Sequence, residues 1–474
     1  MSAAADHNRC EGAERSWPAA LGVGPAGALE FDGVDLGTLA QERGTPLWAI
    51  SQSTLEHNFD ELLGAFRSRY ECCEIAFSMK AHNTLAVIQL LHARGAKLDC
   101  SAEYELDVVR GLGIPAADII LNGCGKSDRA LSAAAEIGVR EVNVDSLVEA
   151  QKLDALAQAA GSTVNCTVRI QLEYEQLLHL DASYLKSASA ADKFGSDVAS
   201  GEAMKVVRAV VESPNLTFRG LHHHVVFPGY LADYSTDLAL AHHGESATEL
   251  CRFANTVRSE LGVEVERLNL GGGIRASGSI NVVPPGRPED AAWHELPSAA
   301  SFAEAVFGAI EANFEGDALP LVQFESGGHM IWDAVVLLVE VSEVKEAVRR
   351  GGPPKRFVYI DASAMMFVIR SMLKMAHPAF VVDRPHDEAA TPRAELVGQT
   401  CLTDTIAENI DLPAVDAGDL LCLLHQGAYC ETTSTQVNSF PRPEVVLLSQ
   451  GSTRVVKRRE RLEDVHARDI PLQT

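Results

Sequence analysis

Eight short apolar segments alternate with amphipathic stretches along the first two thirds of the chain, and this alternation is the strongest constraint on the fold. The stretches between them, such as TLAVIQLLHARG, carry apolar residues at three- and four-residue spacing and end in glycine, as helices do. Eight strand–helix units favour a (β/α)8 barrel, of the α/β class, with an open doubly wound sheet as the alternative. The strand-like segments are EIAFSMKA (74–81), AKLDCSA (96–102), DIILNG (118–123), REVNVDS (140–146), NCTVRIQL (165–172), FRGLHHHV (218–225), ERLNLGGGI (266–274) and PLVQFESG (320–327).

The texture of the sequence changes near residue 330. Runs such as KRFVYIDAS and PEVVLLSQGSTRVV follow, with few long helical stretches between them, and they predict a second, mainly β domain. The predicted organisation is a disordered N-terminus (1–25), a segment joining the β domain (26–45), the barrel (46–330) and the C-terminal β domain (331–474).

The charge and the cysteines narrow the class of protein. A formal net charge of −25 argues against nucleic acid or an anionic membrane as a partner. The first residues lack an apolar signal segment, and no apolar run is long enough to span a membrane. The ten cysteines include no CxxC pair, so neither a disulfide framework nor a zinc site is expected. These features favour a cytoplasmic protein.

Polar residues and glycines gather where the predicted strands end. In a barrel this rim carries the catalytic loops. Each residue has an ordinary explanation when taken alone: a lysine that reaches solvent, a tight glycine turn, or packed histidines in HHH rather than a metal site. The residues of the rim are Lys80, Ser101, Asn122, Asp145, His224, Gly271 and Glu325.

The order of four of these features suggests one ligand. Lys80 ends strand one, His224 strand six, the glycines 271–273 strand seven and Glu325 strand eight. Pyridoxal 5′-phosphate (PLP) needs an amine for its aldehyde, amides for its phosphate, a ring to stack on it and a carboxylate for its ring nitrogen. We therefore predict a PLP site without a metal.

The sequence also resembles a known family, the PLP enzymes of the alanine-racemase fold (fold type III), in its diaminopimelate/ornithine decarboxylase branch. The resemblance runs from about residue 45 to residue 450. The motifs that carry it are FSMKAHNTLAVIQLL (77–91), LDCSAEYEL (98–106), NGCGKSD (122–128), VNVDSLVE (142–149), GLHHHV (220–225), LNLGGGI (268–274), IDASAMMFVIRSML (360–373), GQTCLTD (398–404) and GAY (427–429).

The resemblance implies a role for each matching residue. Lys80 is the lysine that binds the cofactor covalently, and Glu325 and Cys401 complete the catalytic group. Cys401 is expected to reach into the active site of a partner subunit, which implies a homodimer with shared sites. The implied cofactor-binding residues are Lys80, His224, Gly271, Gly272, Gly273, Glu325 and Tyr429.

Two residues depart from the phosphate-binding pattern of the family. Phe227 stands where the family has a serine, and Gly328 stands where it has an arginine. The resemblance therefore implies a phosphate site that lacks one hydroxyl and one guanidinium group.

The expected substrate-binding residues are Arg370, Lys374 and Asp404. Leu402 replaces the acidic residue that holds the distal ammonium group in diaminopimelate decarboxylases, and Lys374 replaces a tyrosine. Arg370 is suited to grip a distal carboxylate with two hydrogen bonds. The sequence thus predicts a decarboxylase for an amino acid, or a conjugate of one, whose distal end is acidic or amide-bearing. The alternatives are a PLP-dependent racemase and a catalytically degenerate PLP-binding homologue.

Overall fold

The computed structural model describes residues 17–172, 193–225, 236–274, 278–282, 292–348, 354–372 and 377–472. By its internal contacts the chain divides into two compact units. The barrel unit comprises Phe59–Ser277 and Pro297–His329, and the β unit comprises the residues up to Asn58, Gly278–Leu296 and the residues from Met330.

The strands and helices are numbered here in chain order. The strands are β1 Leu21–Val23, β2 Leu29–Phe31, β3 Val34–Asp35, β4 Leu47–Ser51, β5 Cys73–Ser78, β6 Lys97–Cys100, β7 Ile119–Leu121, β8 Glu141–Val144, β9 Val164–Gln171, β10 Ser196–Asp197, β11 Leu216–His222, β12 Arg267–Asn269, β13 Gly278–Val282, β14 Ala292–Leu296, β15 Leu321–Ser326, β16 Val335–Val348, β17 Pro354–Ile360, β18 Ala379–Val381, β19 Ala394–Val397, β20 Thr405–Ile410, β21 Leu420–Leu423, β22 Glu444–Ser449 and β23 Ser452–Lys457. The described α-helices are α1 Leu36–Arg43, α2 Gln52–Arg69, α3 Leu85–Ala93, α4 Glu103–Gly111, α5 Asp128–Ile137, α6 Leu147–Ala160, α7 Glu202–Glu212, α8 Thr236–Leu261, α9 Ala299–Asn313, α10 Gly328–Ile331, α11 Val368–Met372 and α12 Leu462–Val465.

Eight parallel strands close into a barrel in the barrel unit. Their hydrogen-bonded order is β5–β6–β7–β8–β9–β11–β12–β15, and β15 pairs again with β5, where Glu325 lies opposite Ala76. The closure confirms the predicted (β/α)8 barrel over the open sheet. The short strand β10 adds to β9 in parallel, with Ser196 opposite Ile170.

Burial and capping explain why these segments form a barrel. All three residues of β7 and all four of β8 are buried, as expected for parallel strands covered by helices. Ser127, Ser146 and Ser298 cap three of the helices, each accepting a hydrogen bond from a backbone N–H in the first turn. Phe66 packs on Phe324 with ring centroids 4.5 Å apart, which ties α2 to β15.

The β unit is built around the long strand β16. It pairs with β17, β21 and β4, and β4 pairs in parallel with β22. Leu29 and Phe31 of β2 and Leu36 and Leu39 of α1 pack in the same core cluster as residues of β4, β16 and β22.

Three segments lie elsewhere than the sequence suggests. Residues 47–51 form β4 in the β unit, because their backbone pairs with β16 and β22 instead of a barrel strand. Residues 278–296, which form the hairpin β13–β14, also belong to the β unit. Within 17–25, expected to be disordered, β1 pairs with β2 and buries Leu21. Among the described helices, none has the length and apolar character needed to cross a membrane.

Candidate active site

Lys80 lies in the 3-10 turn Met79–Ala81 that follows β5, at the carboxyl end of the barrel. Its Nζ is 3.6 Å from Oδ2 of Asp99, whose side chain is fully buried, while 37% of the lysine side chain is exposed. Oδ2 of Asp99 also accepts a hydrogen bond of 2.8 Å from Oγ of Ser78. Burial and the charge of Glu325 raise the pKa of Asp99 above its usual range, although the Lys80 ammonium opposes them. The amine of Lys80 is therefore held beside a carboxyl at the barrel rim.

Three asparagine side chains converge on one oxygen of Glu325. Its Oε1 accepts hydrogen bonds from Nδ2 of Asn122, Asn143 and Asn269 at 2.8, 3.0 and 2.9 Å. Nδ1 of His222 lies 3.1 Å from the same oxygen. The asparagines come from the ends of β7, β8 and β12, so the barrel itself sets the orientation of the carboxylate.

The other oxygen of Glu325 is left for a ligand. Oε2 is buried, lies 3.7 Å from Nδ1 of His224, and has no hydrogen-bond partner among the described residues. Burial opposes ionisation of Glu325, but His222, His224 and the Lys80 ammonium outweigh it and hold the pKa of the carboxyl well below its usual range. A buried carboxylate oxygen without a donor is costly, so this atom calls for a ligand that carries an N–H or O–H group.

His224 presents a neutral ring at the same place. Its Nδ1 accepts a hydrogen bond of 3.3 Å from the amide of Gly272. Burial lowers the pKa of His224 to about 4, although the nearby Glu325 carboxylate opposes the shift. At neutral pH the imidazole is therefore uncharged and suited to stacking on a flat ring.

The glycines 271–273 form a turn that tolerates no side chain. A Cβ on Gly271, where φ is 62°, would lie 2.6 Å from Nδ1 of His224. A Cβ on Gly272 would lie 2.8 Å from the carbonyl oxygen of Glu325, and one on Gly273 would lie 2.9 Å from that of Val225. The turn therefore accepts only glycine, the residue type that backbone anion cradles require.

These residues fit PLP. The amine of Lys80, the open acceptor Oε2 of Glu325, the neutral ring of His224 and the glycine turn match the aldehyde, ring nitrogen, ring face and phosphate of the cofactor in turn. A metal ion fits less well, although His222, His224 and Glu325 offer ligand atoms that all lie within 4.8 Å of one another. Nδ1 of His222 already faces the amide of Asn143, and Nδ1 of His224 accepts from Gly272, so neither lone pair is open to a cation.

The remaining predicted residues belong to the β unit. Cys401 is exposed, and its Sγ lies 3.7 Å from Oδ1 of Asn438. Tyr429 has a φ of 59°, and its carbonyl accepts a 2.7 Å hydrogen bond from Oγ1 of Thr433. The structure thus brings Lys80, His224, the glycines and Glu325 together, whereas the catalytic role of Cys401 and the cofactor-binding role of Tyr429 stay predictions.

Asp404 shapes the loop that carries Cys401. Its Oδ1 accepts from Oγ of Ser363 at 2.9 Å and from the amide of Ala364 at 2.6 Å. Its Oδ2 accepts from the amide and the hydroxyl of Thr400 at 2.8 and 2.7 Å. Both oxygens are engaged within the β unit, so the structure gives Asp404 a positioning role, and substrate binding by this residue stays a prediction.

Arg370 is fully buried in the β unit. Its guanidinium lies 4.5 Å from the centre of the Trp332 ring. Burial lowers the pKa of Arg370, although Cys430 opposes the shift. Lys374 and Phe227 lie outside the described residues.

Four buried residues around Glu325 and Lys80 escaped the sequence analysis as site residues: Asp99, Asn143, His222 and Asn269. Three of them carry a signal in the sequence, since Asp99, Asn143 and Asn269 are buried polar residues within the short strands KLDC, EVNV and RLN. A polar side chain inside a buried strand needs a partner, and here the partner is Ser78 for Asp99 and Glu325 for the two asparagines.

Comparison with known proteins supports this geometry. Residues 56–331 match the family model described as pyridoxal-dependent decarboxylase, pyridoxal binding domain. The diaminopimelate decarboxylase of Mycobacterium tuberculosis (strain H37Rv) is 29% identical over 463 residues, which cover 96% of this chain and 97% of that protein. The enzyme of the same name from Bacillus subtilis is 27% identical over 451 residues, covering 94% and 96%.

A solved structure shows the same architecture. The crystal structure of diaminopimelate decarboxylase from M. jannaschii has a TM-score of 0.81 and 25% identity, covering 96% of this chain and 98% of that one. The family model spans more than half of the chain, and its cofactor matches the chemistry of the rim residues. The chain therefore belongs to the pyridoxal-dependent decarboxylases of fold type III, as a PLP-dependent carboxy-lyase of the diaminopimelate/ornithine/lysine type.

Proposed function

We propose that this enzyme decarboxylates an amino acid, or an amino-acid conjugate, whose distal end is acidic or amide-bearing. The observation that carries the proposal is Leu402, an apolar side chain that is 50% exposed next to Cys401. The resemblance implies an acidic residue at this position when the substrate has a distal ammonium group. An isobutyl group offers that ammonium neither charge nor an acceptor, so the preference for diaminopimelate, lysine and ornithine is lost.

The barrel residues serve the chemistry at Cα. Bound PLP supplies a sink for the electron pair that remains when CO2 leaves the substrate. Lys80 Nζ would hold the cofactor, and Oε2 of Glu325 would accept a hydrogen bond from its ring nitrogen and so keep that nitrogen protonated. The three asparagines on Oε1 fix the direction in which Oε2 points.

Reprotonation of Cα needs a general acid after CO2 has left. Cys401 and Lys80 are the two groups we assign to this step, acting from opposite faces of the substrate. Cys401 is exposed, as required of a thiol that acts in the site of a partner subunit of a homodimer. We place this homodimer in the cytoplasm.

The ionised state of Glu325 disfavours the racemase alternative. A racemase of this fold avoids a fully protonated ring nitrogen, whereas Glu325 is a buried carboxylate with an open acceptor at that position. Measuring CO2 release beside the loss of optical rotation separates the two reactions. PLP uptake without turnover on any amino acid would instead indicate the degenerate homologue.

Diaminopimelate itself is the second candidate substrate, because relatives of that name match almost the full length of the chain. The deciding experiment is a decarboxylation screen with purified holoenzyme. It compares amino acids with carboxylate, carbamoyl, glutamyl or citryl tails against diaminopimelate, lysine and ornithine. We expect the highest kcat/KM in the first group, and a highest value for diaminopimelate would reject the proposal.

A matched variant tests the role of position 402. Leu402→Glu places an acidic side chain beside Cys401. We expect it to improve kcat/KM for substrates with a distal ammonium group by about tenfold, because one charge pair that is partly exposed contributes about that much. Leu402→Gln has the same length without the charge and serves as the control. Equal gains in both variants would show that the charge at position 402 does not select the substrate.

A further inference from the structure

A buried histidine on helix α8 lies directly against the glycine turn. His243 is 1% exposed, and a Cβ built on Gly273 would lie 3.1 Å from its Nε2 and 3.5 Å from its Cε1. The imidazole packs edge-on against Phe302 of α9, with ring centroids 4.9 Å apart. Helix packing therefore places one polar side chain behind the part of the turn that cradles an anion.

The hydrogen bond of the other ring nitrogen fixes which atom faces the turn. Nδ1 of His243 lies 2.9 Å from the carbonyl oxygen of Ala239. A carbonyl only accepts, so Nδ1 carries the hydrogen and Nε2 of the neutral ring is a lone pair. Nε2 is buried and forms no well-aligned hydrogen bond among the described residues, although the backbone of Gly272 lies close enough to the ring to oppose the effect of burial on its pKa. Burial lowers the pKa of His243, so without a ligand the ring is neutral at pH 7.

The phosphate site needs such a group. The amide of Gly271 already donates to Oδ1 of Asn269 at 2.8 Å, and the amide of Gly272 donates to His224. Gly328, at the start of α10, provides no side chain, and the nearest atom to a Cβ built there is the Ile274 carbonyl oxygen at 3.9 Å. The described residues of this region thus hold few donors for a dianion besides His243.

We propose that His243 is a ligand of the cofactor phosphate, which takes up a proton on Nε2 when the phosphate binds and donates it to a phosphate oxygen. The proton comes from solvent, and the resulting imidazolium neutralises part of the phosphate charge. A dianion beside a histidine favours its charged form, which offsets the effect of burial. The inference rests on the PLP assignment and not on the identity of the substrate.

Few other titratable groups face His243 among the described residues. His242 on the same helix has its ring centroid 6.1 Å away, and burial lowers its pKa to about 3, so it is neutral too. Phe302 of α9 does not titrate. Across the glycine turn, His224 contacts Gly271 and Gly272 and is neutral at pH 7. His243 is therefore the group we expect to change its protonation with phosphate binding.

The test compares PLP with pyridoxal, which lacks the phosphate. Dissociation constants of both are measured with apoprotein by absorbance and fluorescence titration, without substrate. The dissociation constant of pyridoxal divided by that of PLP measures how much the phosphate group adds to the binding affinity. We expect His243→Gln to reduce this ratio by about ten- to a hundredfold, the value of one charge-assisted hydrogen bond, and to leave pyridoxal binding unchanged. His242→Gln is the matched control and should keep the ratio of the wild type. An unchanged ratio in His243→Gln overturns the proposal.

A second measurement needs only the wild-type protein and so stands even if His243→Gln does not fold. The phosphate is a dianion above about pH 6, so any further pH dependence of the ratio reports protons taken up by the protein. We expect the advantage of PLP over pyridoxal to fall by about one log unit per pH unit between pH 7 and 9. A flat profile overturns the proposal. Failure of both ligands to bind would instead reject the PLP assignment.

Discussion

The two carboxylate oxygens of Glu325 have different surroundings. Oε1 is saturated by Asn122, Asn143 and Asn269, while Oε2 is left open. The carboxylate therefore offers a ligand one open acceptor atom, Oε2. In the proposed mechanism, the role of Glu325 therefore depends on three neutral amides that orient its carboxylate.

The change Glu325→Gln tests this difference. The three amide donors at Oε1 require the Gln oxygen there, so the new NH2 group points to the ligand side and donates where an acceptor is needed. We expect kcat to fall by about a hundredfold or more, as for the loss of one preorganised electrostatic contact. Rates are measured by CO2 release. Glu304→Gln, an exposed carboxyl of the same unit, is the control, and similar rates in both variants would contradict the assignment.

Lys80→Ala tests the covalent attachment of the cofactor. Without the amine, the visible absorbance of the bound cofactor and the turnover should both be lost, because the group that binds the cofactor aldehyde is gone. Absorbance spectra and CO2 release check this outcome. Lys152→Ala removes a half-exposed lysine of the same unit and should leave both unchanged. A normal rate in Lys80→Ala would refute the scheme.

Lys80, His224 and Glu325 could be found from sequence because each ends an apolar run that reads clearly as a strand. The asparagines 143 and 269 could not, since one polar residue inside a strand names no partner until the barrel is closed. His243 was hidden for a similar reason, as HHG inside an amphipathic helix shows no sign of a turn more than twenty residues later.

At the scale of elements, the glycine turn 271–273 combines a left-handed backbone at Gly271 and Gly273 with close packing at all three positions. Gly271 has a φ of 62°, and Gly125 has a φ of 59°, yet a Cβ on Gly125 would meet nothing within 4 Å. The two positions thus share their backbone strain and differ only in the space around them.

This pair gives a test of the turn. Both Gly271→Ala and Gly125→Ala should cost about 1 kcal/mol in unfolding free energy from the left-handed backbone alone. Only Gly271→Ala should also abolish PLP uptake, because its methyl group collides with the ring and backbone of His224. Denaturant titration and PLP titration measure the two effects. Equal PLP binding by both variants would argue that the turn lies outside the cofactor site.

A buried carboxylate joins three elements of the β unit. Asp32 accepts four hydrogen bonds of 2.8–2.9 Å, from the side chains of Ser51 and Ser53 and the amides of Ser53 and Gln450. Burial opposes its ionisation, but the amide of Ser53 and the other donors outweigh it and lower the pKa of Asp32. The turn between β2 and β3 is thereby tied to β4, α2 and the hairpin β22–β23.

Asp32→Ala should lower the unfolding free energy by about 2–4 kcal/mol, because it strands buried donors. The sign of the pH dependence follows from the lowered pKa. The stabilisation is fully present above the unfolded pKa of about 3.9 and is lost as the pH falls through the folded pKa. Denaturant unfolding between pH 7 and pH 3 measures it, with exposed Asp383→Ala as control. A stability gap that widens towards pH 3 would contradict this account.

The alternation of apolar segments and helices predicted the barrel correctly, because each of the eight buried parallel strands needs an apolar segment in the sequence. The pattern did not predict the two-residue strand β10. It also did not predict that β4 belongs to the sheet of the β unit. A five-residue buried strand reads the same in either sheet, and only its hydrogen-bond partners decide between them.

At the scale of the whole molecule, the assignments fall on two units. Lys80 and Glu325 belong to the barrel unit, and Cys401 and Arg370 belong to the β unit. We propose that each active site takes Lys80 from one subunit and Cys401 from the other. A lysine variant and a cysteine variant then lack different residues of the site, and each can supply what the other lacks.

A mixing experiment tests this sharing. Lys80→Ala and Cys401→Ala homodimers should each be inactive, whereas subunit exchange between them creates heterodimers with one intact site. Random reassortment makes half of the dimers mixed, so activity should recover to about a quarter of wild type. CO2 release before and after exchange measures it. No recovery despite verified exchange would contradict a shared site.

The substrate could not be predicted at the level reached for fold and cofactor. Fold and cofactor depend on residues of one chain that lie at strand ends, whereas the distal pocket depends on a few positions such as Leu402 and Arg370 in loops and short helices. Loop positions of this kind change chemistry without changing the fold.

The glycine turn also limits how this enzyme can change over generations. At three successive positions a single added carbon meets an atom closer than 3 Å, so substitution cannot tune the cradle from within. New affinity for the phosphate has to enter from neighbouring elements, and α8 is one that already abuts the turn. Libraries that aim to alter cofactor use should therefore leave residues 271–273 fixed and vary the helix behind them.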